Sequence, residues 1–438
     1  AIANLSTADV NTVAKIEALA STAAGIMSTA ATGTASPALT VGDFAALGIT
    51  GVTADTLIDV LSAIDNSATD GSAVDSITEL QALVSGVLSS SAQAISDAID
   101  RIAAYAGDAS TAAGTTAPTL SDFQVAGVTG MSSANLSAIQ SALATATVVG
   151  SQVDTTAEIQ SLVDAYNRIL AEANGAAADA NAGVNPSAAD YSAIGATTAA
   201  GFANGSAQQS LLNTVMGAQT TSGVDTVAKI EALASRVAAI LATAAGTSPA
   251  QALTVADFAA LGITGVTPEN LAFVLARITA SADDGSAVDT LSELQAFVTQ
   301  AASDAVAAAL GTIQAFADDN GAVAPAPVLN DYLLLGITGV NAGNLGALQS
   351  ALASADIDAT GLALASDVQA LVNAYNSILA EANGSASDAT PGSNPVAATY
   401  TAIGASTAAG LSAPALALLN DAIANLSTAD VNTVAKIE

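Results

Sequence analysis

The sequence predicts an all-α protein assembled from tandem three-helix modules, six in each period of 421 residues, as a solenoid-like or beaded array. Three observations carry that expectation. Residues 1–17 and 422–438 are letter for letter the same, AIANLSTADVNTVAKIE, which sets the period. Within it, Asp followed by Phe or Tyr, a few apolar residues and Gly recurs six times. The copies are Asp43-Phe44, Asp122-Phe123, Asp190-Tyr191, Asp257-Phe258, Asp331-Tyr332 and, with Thr in place of Asp, Thr399-Tyr400. From Phe44 to Phe123 and on to Tyr400 the aromatic-to-aromatic steps run 79, 68, 67, 74 and 68, with 65 into the next period, so six modules fill it. Finally, apolar residues fall at helical spacing while strand-like alternation is scarce.

Each module reads as three elements. A short first helix opens on a capping box, Thr40 with Asp43, Thr119 with Asp122 or Thr254 with Asp257, in which hydroxyl and carboxylate satisfy orphan amides. It stops at Gly48, Gly127, Gly262 or Gly336, and a tight turn such as Thr50-Gly51-Val52 follows. A second helix starts at a Thr or Ser; Thr267-Pro268-Glu269 puts Pro in the first turn and an acid at the positive end of the dipole. A longer third helix opens on Ser76 with Glu79, Thr155 with Glu158 or Thr290 with Glu293. Its apolar stripe is Ile159, Leu162, Val163, Tyr166, Ile169 and Leu170, the spacing of one buried face. Asn174-Gly175 and Asn383-Gly384 end two of these helices with residues that tolerate a left-handed cap. Connectors follow around 181–186 and 388–395.

A coarser doubling overlies the modules: Val10 aligns with Val224, and Val224 in turn with Val431, each step about half of the full period. The expected boundaries are 1–36 (the C-terminal part of a module), complete modules at 37–116, 117–184, 185–250, 251–325 and 326–393, and 394–438 (the N-terminal part of a module overlapping the next period). Both ends fall inside a running pattern, so the chain is expected to be a window on a longer array. Modules of about 70 residues bury little apolar surface alone, and stacking on neighbours supplies the rest.

Composition narrows the function classes. Seven cationic against 39 acidic side chains leave a net charge of −32, which disfavours nucleic acid and anionic membranes as partners. Cys and His are absent, removing disulfides, thiol chemistry, imidazole bases and the usual zinc ligands. A Ser–Lys pair would need Lys15, Lys229 or Lys436, all at one position of a VAKIE stretch where a solvated helix face explains them. No phosphate-binding glycine loop is present. No enzymatic role is expected. Apolar residues reach 51 %, mostly Ala with regularly spaced Leu, Ile and Val, and no run of about 18 purely apolar residues occurs. The cores should be thin and made of small side chains.

Calcium is the one cofactor the sequence admits. Asp65, Asp70 and Asp75, with Asn66, gather in one segment, and Asp283, Asp284 and Asp289 recur at the matching place in the second half of the period. Oxygen-rich loops hold hard cations. The spacing is not that of an EF-hand, and turn and helix-cap chemistry explains the same residues. A weaker set is Asn181, Asn185 and Asp190, with Asn394 in the sister copy.

An acidic, Cys-free, Ala/Thr/Ser/Gly/Asp-rich chain of near-identical long repeats resembles the giant surface proteins of Gram-negative and marine bacteria. These include repetitive adhesins and cell-surface filament or layer proteins. The stretches that carry the resemblance are DFAALGITGV (43–52) with its copies and VDTTAEIQSLV (153–163) with its copies. The resemblance implies an extracellular, cell-surface location, contact with like chains, membrane attachment only through regions outside 1–438, and no turnover chemistry. The expected role is a structural subunit of an extracellular filament, sheath or surface layer. The alternative is a helical spacer or stalk of a giant adhesin whose ligand-binding domain lies elsewhere.

Overall fold

The computed structural model describes residues 6–107, 116–176, 185–385 and 394–438. Among them the chain forms twenty-one α-helices and no strand, extended pairing being limited to isolated bridges from Asn174 to Thr220 and from Asn383 to Ser427. The protein is all-α. The larger part of both predicted connectors, 177–184 with Asn181 and 386–393, lies outside the described residues.

In chain order the helices are α1 (Val13–Thr32); α2 (Val41–Ala46), α3 (Leu57–Asp65) and α4 (Ile77–Tyr105); and α5 (Leu120–Val125), α6 (Leu136–Leu143) and α7 (Thr156–Glu172). Then come α8 (Ala188–Ala193), α9 (Thr197–Ala200), α10 (Ala207–Ala218) and α11 (Val227–Ala244), followed by α12 (Val255–Ala260), α13 (Leu271–Thr279) and α14 (Leu291–Asp318). The last are α15 (Leu329–Leu334), α16 (Leu345–Leu352) and α17 (Ala365–Glu381), then α18 (Ala397–Ala402), α19 (Ser406–Ala409), α20 (Ala413–Ala424) and α21 (Val434–Ile437).

The first helices form where the capping boxes place them. Thr40 N–H donates to Asp43 Oδ2 at 2.7 Å, and the Thr119 and Thr254 amides do the same to Asp122 and Asp257 at 2.7 and 2.9 Å. These helices stop because the residue two past the end is a left-handed glycine: Gly48, Gly127, Gly262 and Gly336 have φ of 79°, 77°, 89° and 71°. The chain then folds back, with Ile49 N–H on the Phe44 carbonyl at 3.0 Å and Ile263 N–H on that of Phe258 at 2.9 Å.

The second helices begin later than the sequence suggests. Regular helix starts at Leu271, and Thr267-Pro268-Glu269 form the turn before it. The reason is Asn270, whose Oδ1 accepts from Thr267 N–H at 2.8 Å and whose Nδ2 donates to the Gly265 carbonyl at 2.8 Å. The side chain thus ties the turn closed and holds its own residue as the cap. A second departure is α9 and α19, one-turn helices that give their stretches a fourth helix. The second glycine of the Thr-Gly-Val turn is missing there (Gly195-Ala196-Thr197, Gly404-Ala405-Ser406), and the chain coils instead. Thr198 N–H donates to Glu231 Oε1 at 2.9 Å and Thr407 N–H to Glu438 Oε2 at 3.1 Å.

The chain divides into two compact units. One comprises Ala1–Arg168, Asp190–Gly195 and Asp225–Val227, the other Ile169–Ala189, Ala196–Val224 and Ala228–Glu438. In the first, Leu19, Ile26, Phe44, Val60, Ile64, Leu80 and Val84 close one core as α1 packs on α2 and α3, and α3 on α4. Also in that unit, α4 packs on α5. In the second, Tyr332, Leu348, Leu352, Val368, Val372, Tyr375, Tyr400, Ile423 and Val431 belong to one continuous core. The six motif aromatics, Phe44, Phe123, Tyr191, Phe258, Tyr332 and Tyr400, are all fully buried, as a large side chain among Ala and Val must be to fill the layer. Among the described residues one helix, α14, is long and apolar enough to cross a membrane. Its apolar stripe, Leu294, Val298, Ala301, Ala305, Ala309 and Ile313, is buried within the fold, where α13 and α15 pack against it.

Candidate functional site

The chemistry-bearing residues are committed to holding the fold. All four arginines pair with aspartates: Arg101 Nη2 with Asp122 Oδ1 at 2.7 Å, Arg236 Nε with Asp257 Oδ1 at 3.0 Å, Arg277 Nη1 with Asp304 Oδ2 at 2.8 Å, and Arg168 with the buried Asp190. In three of these pairs the arginine rides on a long helix and the aspartate caps or opens the next short one, so the pair aims one element at its successor. The three lysines each donate to a carbonyl seven residues back: Lys15 to Ala8 at 2.6 Å, Lys229 to Ser222 at 2.8 Å and Lys436 to Ala429 at 2.6 Å. Each closes the loop that leads into its own helix. All seven cations therefore have anion or carbonyl partners within the chain.

The acidic candidates do not converge. Asp70 Oδ1 accepts from Ser72 N–H at 3.0 Å, and Asp284 Oδ1 from Ser286 N–H at 3.0 Å, which lowers the pKa of both carboxyls. Asp75 is hydrogen-bonded to Glu79, which raises it, with repulsion from Glu79 and Asp70 adding to the effect. Asp289 is raised by burial, then by the same pairing with Glu293. Asp65 closes α3 with its carboxylate against the Gly33 backbone, and Asp283 is exposed. Among the described residues no group of three or more acidic side chains stands together as a metal site would require. Asn181 lies outside those residues.

The clefts differ in lining, from the larger apolar side chains Ile26, Met27, Leu47 and Leu80 between α1 and α4 to mostly small ones beside α11. One of about 610 Å³ lies between α11 and the connector around Pro249, with Ala232, Ala239 and Leu253 on its walls and the Arg236–Asp257 pair at its edge. Nothing in it pairs a nucleophile with a base.

The residues that sequence reading missed are the bridging amides. Thr50 N–H donates to Gln81 Oε1 at 2.8 Å and Gln81 Nε2 donates back to the Thr50 carbonyl at 3.1 Å. Gln160 with Thr129, Gln295 with Thr264 and Gln369 with Thr338 repeat the pair. The signal was present in the letters, since each glutamine stands at one place of the VDT-type stretch. Asn135 and Asn344 add a second bridge, each donating to a long-helix asparagine, Asn167 or Asn376, at 2.7 Å. What the arrangement does is position helices on helices. No known protein family, characterised protein sequence or solved structure matches the chain.

Proposed function

We propose that this chain is a structural repeat unit of an extracellular filament, sheath or surface layer, built from helical modules of three helices, or four where the second turn glycine is missing. The observation that carries the reading is the recurrence of one bond set at one spacing: the four Gln–Thr bridges each join residues 31 apart. Identical internal bonds make modules of the same shape, and uniform modules make uniform neighbours, which propagate as open linear assemblies. The commitment of every cation to the fold supports a scaffolding role over turnover. So does the absence of His and Cys from the inventory of nucleophiles and bases.

Electron microscopy of native material labelled with an antibody to this chain tests the proposal. Labelled filaments or sheets outside the cell, with laterally packed chains, are the expected result. Single-file rods carrying a distinct terminal domain would favour the adhesin-stalk reading. Label confined to the cytoplasm would overturn both.

A further inference from the structure

Asparagine followed by glycine is a dipeptide in which a protein chain readily modifies itself. The glycine nitrogen attacks the asparagine Cγ, its proton passes to the departing side-chain nitrogen, the Cγ–Nδ2 bond breaks and ammonia leaves. Water then opens the resulting succinimide ring to aspartate or isoaspartate. The chain carries four such pairs, Asn174-Gly175, Asn204-Gly205, Asn320-Gly321 and Asn383-Gly384. All four glycines are left-handed, with φ of 81°, 77°, 71° and 76°. A residue with a Cβ takes up that backbone only under strain, so the reactive dipeptide is part of the fold.

In each pair the attacking nitrogen is engaged. Gly175 N–H donates to the Gln219 carbonyl at 2.9 Å, Gly321 N–H to that of Phe316 at 2.9 Å and Gly384 N–H to that of Leu426 at 3.0 Å, all main-chain acceptors. Asn204-Gly205 is held differently, by one side chain on α10. Gln209 Oε1 accepts from Gly205 N–H at 2.8 Å, while Gln209 Nε2 donates to Asn204 Oδ1 at 3.1 Å. Gln209, buried at 7 % exposure, thus holds the nucleophile and the electrophile at once. Ala188 N–H donates to the same Asn204 Oδ1 at 3.1 Å and fixes the asparagine further. The stretch around α20 shows what happens without the pair. Residues 405–412, which lead into α20, contain no Asn-Gly, and α20 contains no glutamine. There the Pro395 carbonyl is held by Asn420 Nδ2 at 2.9 Å, whereas Gln209 Nε2 takes that of Pro186 at 3.1 Å. Holding the proline loop therefore does not require a glutamine; the reactive pair does.

We propose that Asn204 is a latent modification site of this chain and that Gln209 is the positioning residue that keeps it latent. Ring closure needs the Gly205 nitrogen to give up its proton and the Asn204 Cγ to turn onto it. Gln209 opposes both steps, by accepting from that N–H and by holding Oδ1 in place. The reaction then waits for local opening of the segment before α10. Once it occurs, it puts a carboxylate where an amide stood and, in the isoaspartate product, lengthens the backbone just ahead of the Ser206 cap of α10, whose hydroxyl accepts from Gln209 N–H at 3.3 Å. The inference goes beyond the filament reading and holds whatever the chain builds.

Ageing the folded 438-residue chain in mildly alkaline buffer tests it, with isoaspartate at each site counted by peptide mass spectrometry and isoaspartyl-methyltransferase labelling. Wild type is expected to modify Asn204 at least about tenfold more slowly when folded than in urea. Gln209→Ala should raise the folded rate at Asn204 by about tenfold, with Asn174, Asn320 and Asn383 unchanged as controls in the same molecule. Gln209→Glu keeps an acceptor for Gly205 N–H and loses the donor to Asn204, so it should fall between. A folded wild-type chain that modifies Asn204 as fast as the unfolded one overturns the proposal. So does a Gln209→Ala chain, helical by circular dichroism, whose Asn204 rate is unchanged. Should Gln209→Ala lose its helical signal, Gln209→Glu is read in its place: a rise confined to Asn204 supports the proposal, and no rise, or an equal rise at all four sites, overturns it. Each of these outcomes leaves the filament reading to stand or fall by imaging.

Discussion

Gln295 grips the peptide unit of Thr264 from both sides: Thr264 N–H donates to Gln295 Oε1 at 2.9 Å, and Gln295 Nε2 donates to the Thr264 carbonyl at 2.9 Å. A primary amide is the side-chain group that offers donor and acceptor in the geometry of a backbone partner. Asparagine, one carbon shorter, would start from further back on α14. The bridge ties the long helix to the turn between the two short helices, residues that otherwise have no regular partners.

Replacing Gln295 by Ala should cost about 1–2 kcal/mol, two net hydrogen bonds in a half-exposed place. Gln295→Glu keeps the acceptor and loses the donor, so about half of that is expected. The chain has two compact units, and a global unfolding midpoint would blur a local loss. Amide hydrogen exchange at Thr264–Val266 is the sharper measurement. Gln300→Ala, which removes only a helix-surface bond to Asp304, is the control and should change protection by no more than about 0.5 kcal/mol.

That bridge marks where sequence reading stops. Caps and glycine stops act within a few residues, so Thr40 with Asp43, Gly48 and the Ile159–Ile169 stripe were legible as letters. The role of Gln295 depends on a residue 31 positions away, and the start of α13 on an asparagine that closes its own turn. The acidic segment shows the reverse: Asp70 and Asp284 looked like cation ligands by composition, and in space each carboxylate turns onto its own loop.

The motif aromatics divide by their hydroxyls. Tyr400 donates to Asn420 Oδ1 at 2.7 Å, and Asn420 donates in turn to the Pro395 carbonyl at 2.9 Å, all buried. The Tyr332 hydroxyl is buried with no partner among the described residues, and the matching positions 44, 123 and 258 are Phe. Tyr400→Phe should therefore destabilise by about 1–3 kcal/mol, because it strands the Asn420 carbonyl oxygen, while Tyr332→Phe should be neutral or stabilising by up to about 1 kcal/mol. Urea unfolding followed by circular dichroism separates them; equal losses would show that the Tyr332 hydroxyl is satisfied.

Two left-handed glycines should respond differently to a methyl group. Gly262 has φ of 89° and open space where a Cβ would go, so Gly262→Ala should cost only the backbone term, about 1–2 kcal/mol. Gly404 has φ of 73°, and its missing Cβ would run into the Ser354 side chain, whose hydroxyl donates to the Gly404 carbonyl at 3.0 Å. Gly404→Ala must displace that serine and lose its bond, adding about 1 kcal/mol or more. The double change with Ser354→Ala should recover part of the difference, and a double mutant no better than the single would place the clash elsewhere.

Stability against pH should pass through a maximum on the acid side of neutrality. The Asp43 carboxyl is held low by the Thr40 hydroxyl and then, against burial, by the Thr40 amide. At Asp122 and Asp257 burial pushes upward but is outweighed by the Thr119 or Thr254 bonds together with Arg101 or Arg236. Depressed folded values mean stability that is present above the unfolded pKa, about 4, and lost as pH falls through the folded one. Asp75, raised by its bond to Glu79, and Asp289, raised by burial and then by Glu293, have the opposite sign: their contribution is present below the unfolded value and lost as pH rises through the folded one. A net charge of −32 adds self-repulsion that acid relieves. Melting temperature should accordingly rise as pH is lowered from 7 to about 5 and fall below about 4, where the capping carboxylates protonate. Replacing Asp43, Asp122 and Asp257 together by Asn should lower the melting temperature at pH 7 and flatten the acid limb. A wild-type melting temperature still climbing at about pH 3 would mean that relief of repulsion outweighs the caps.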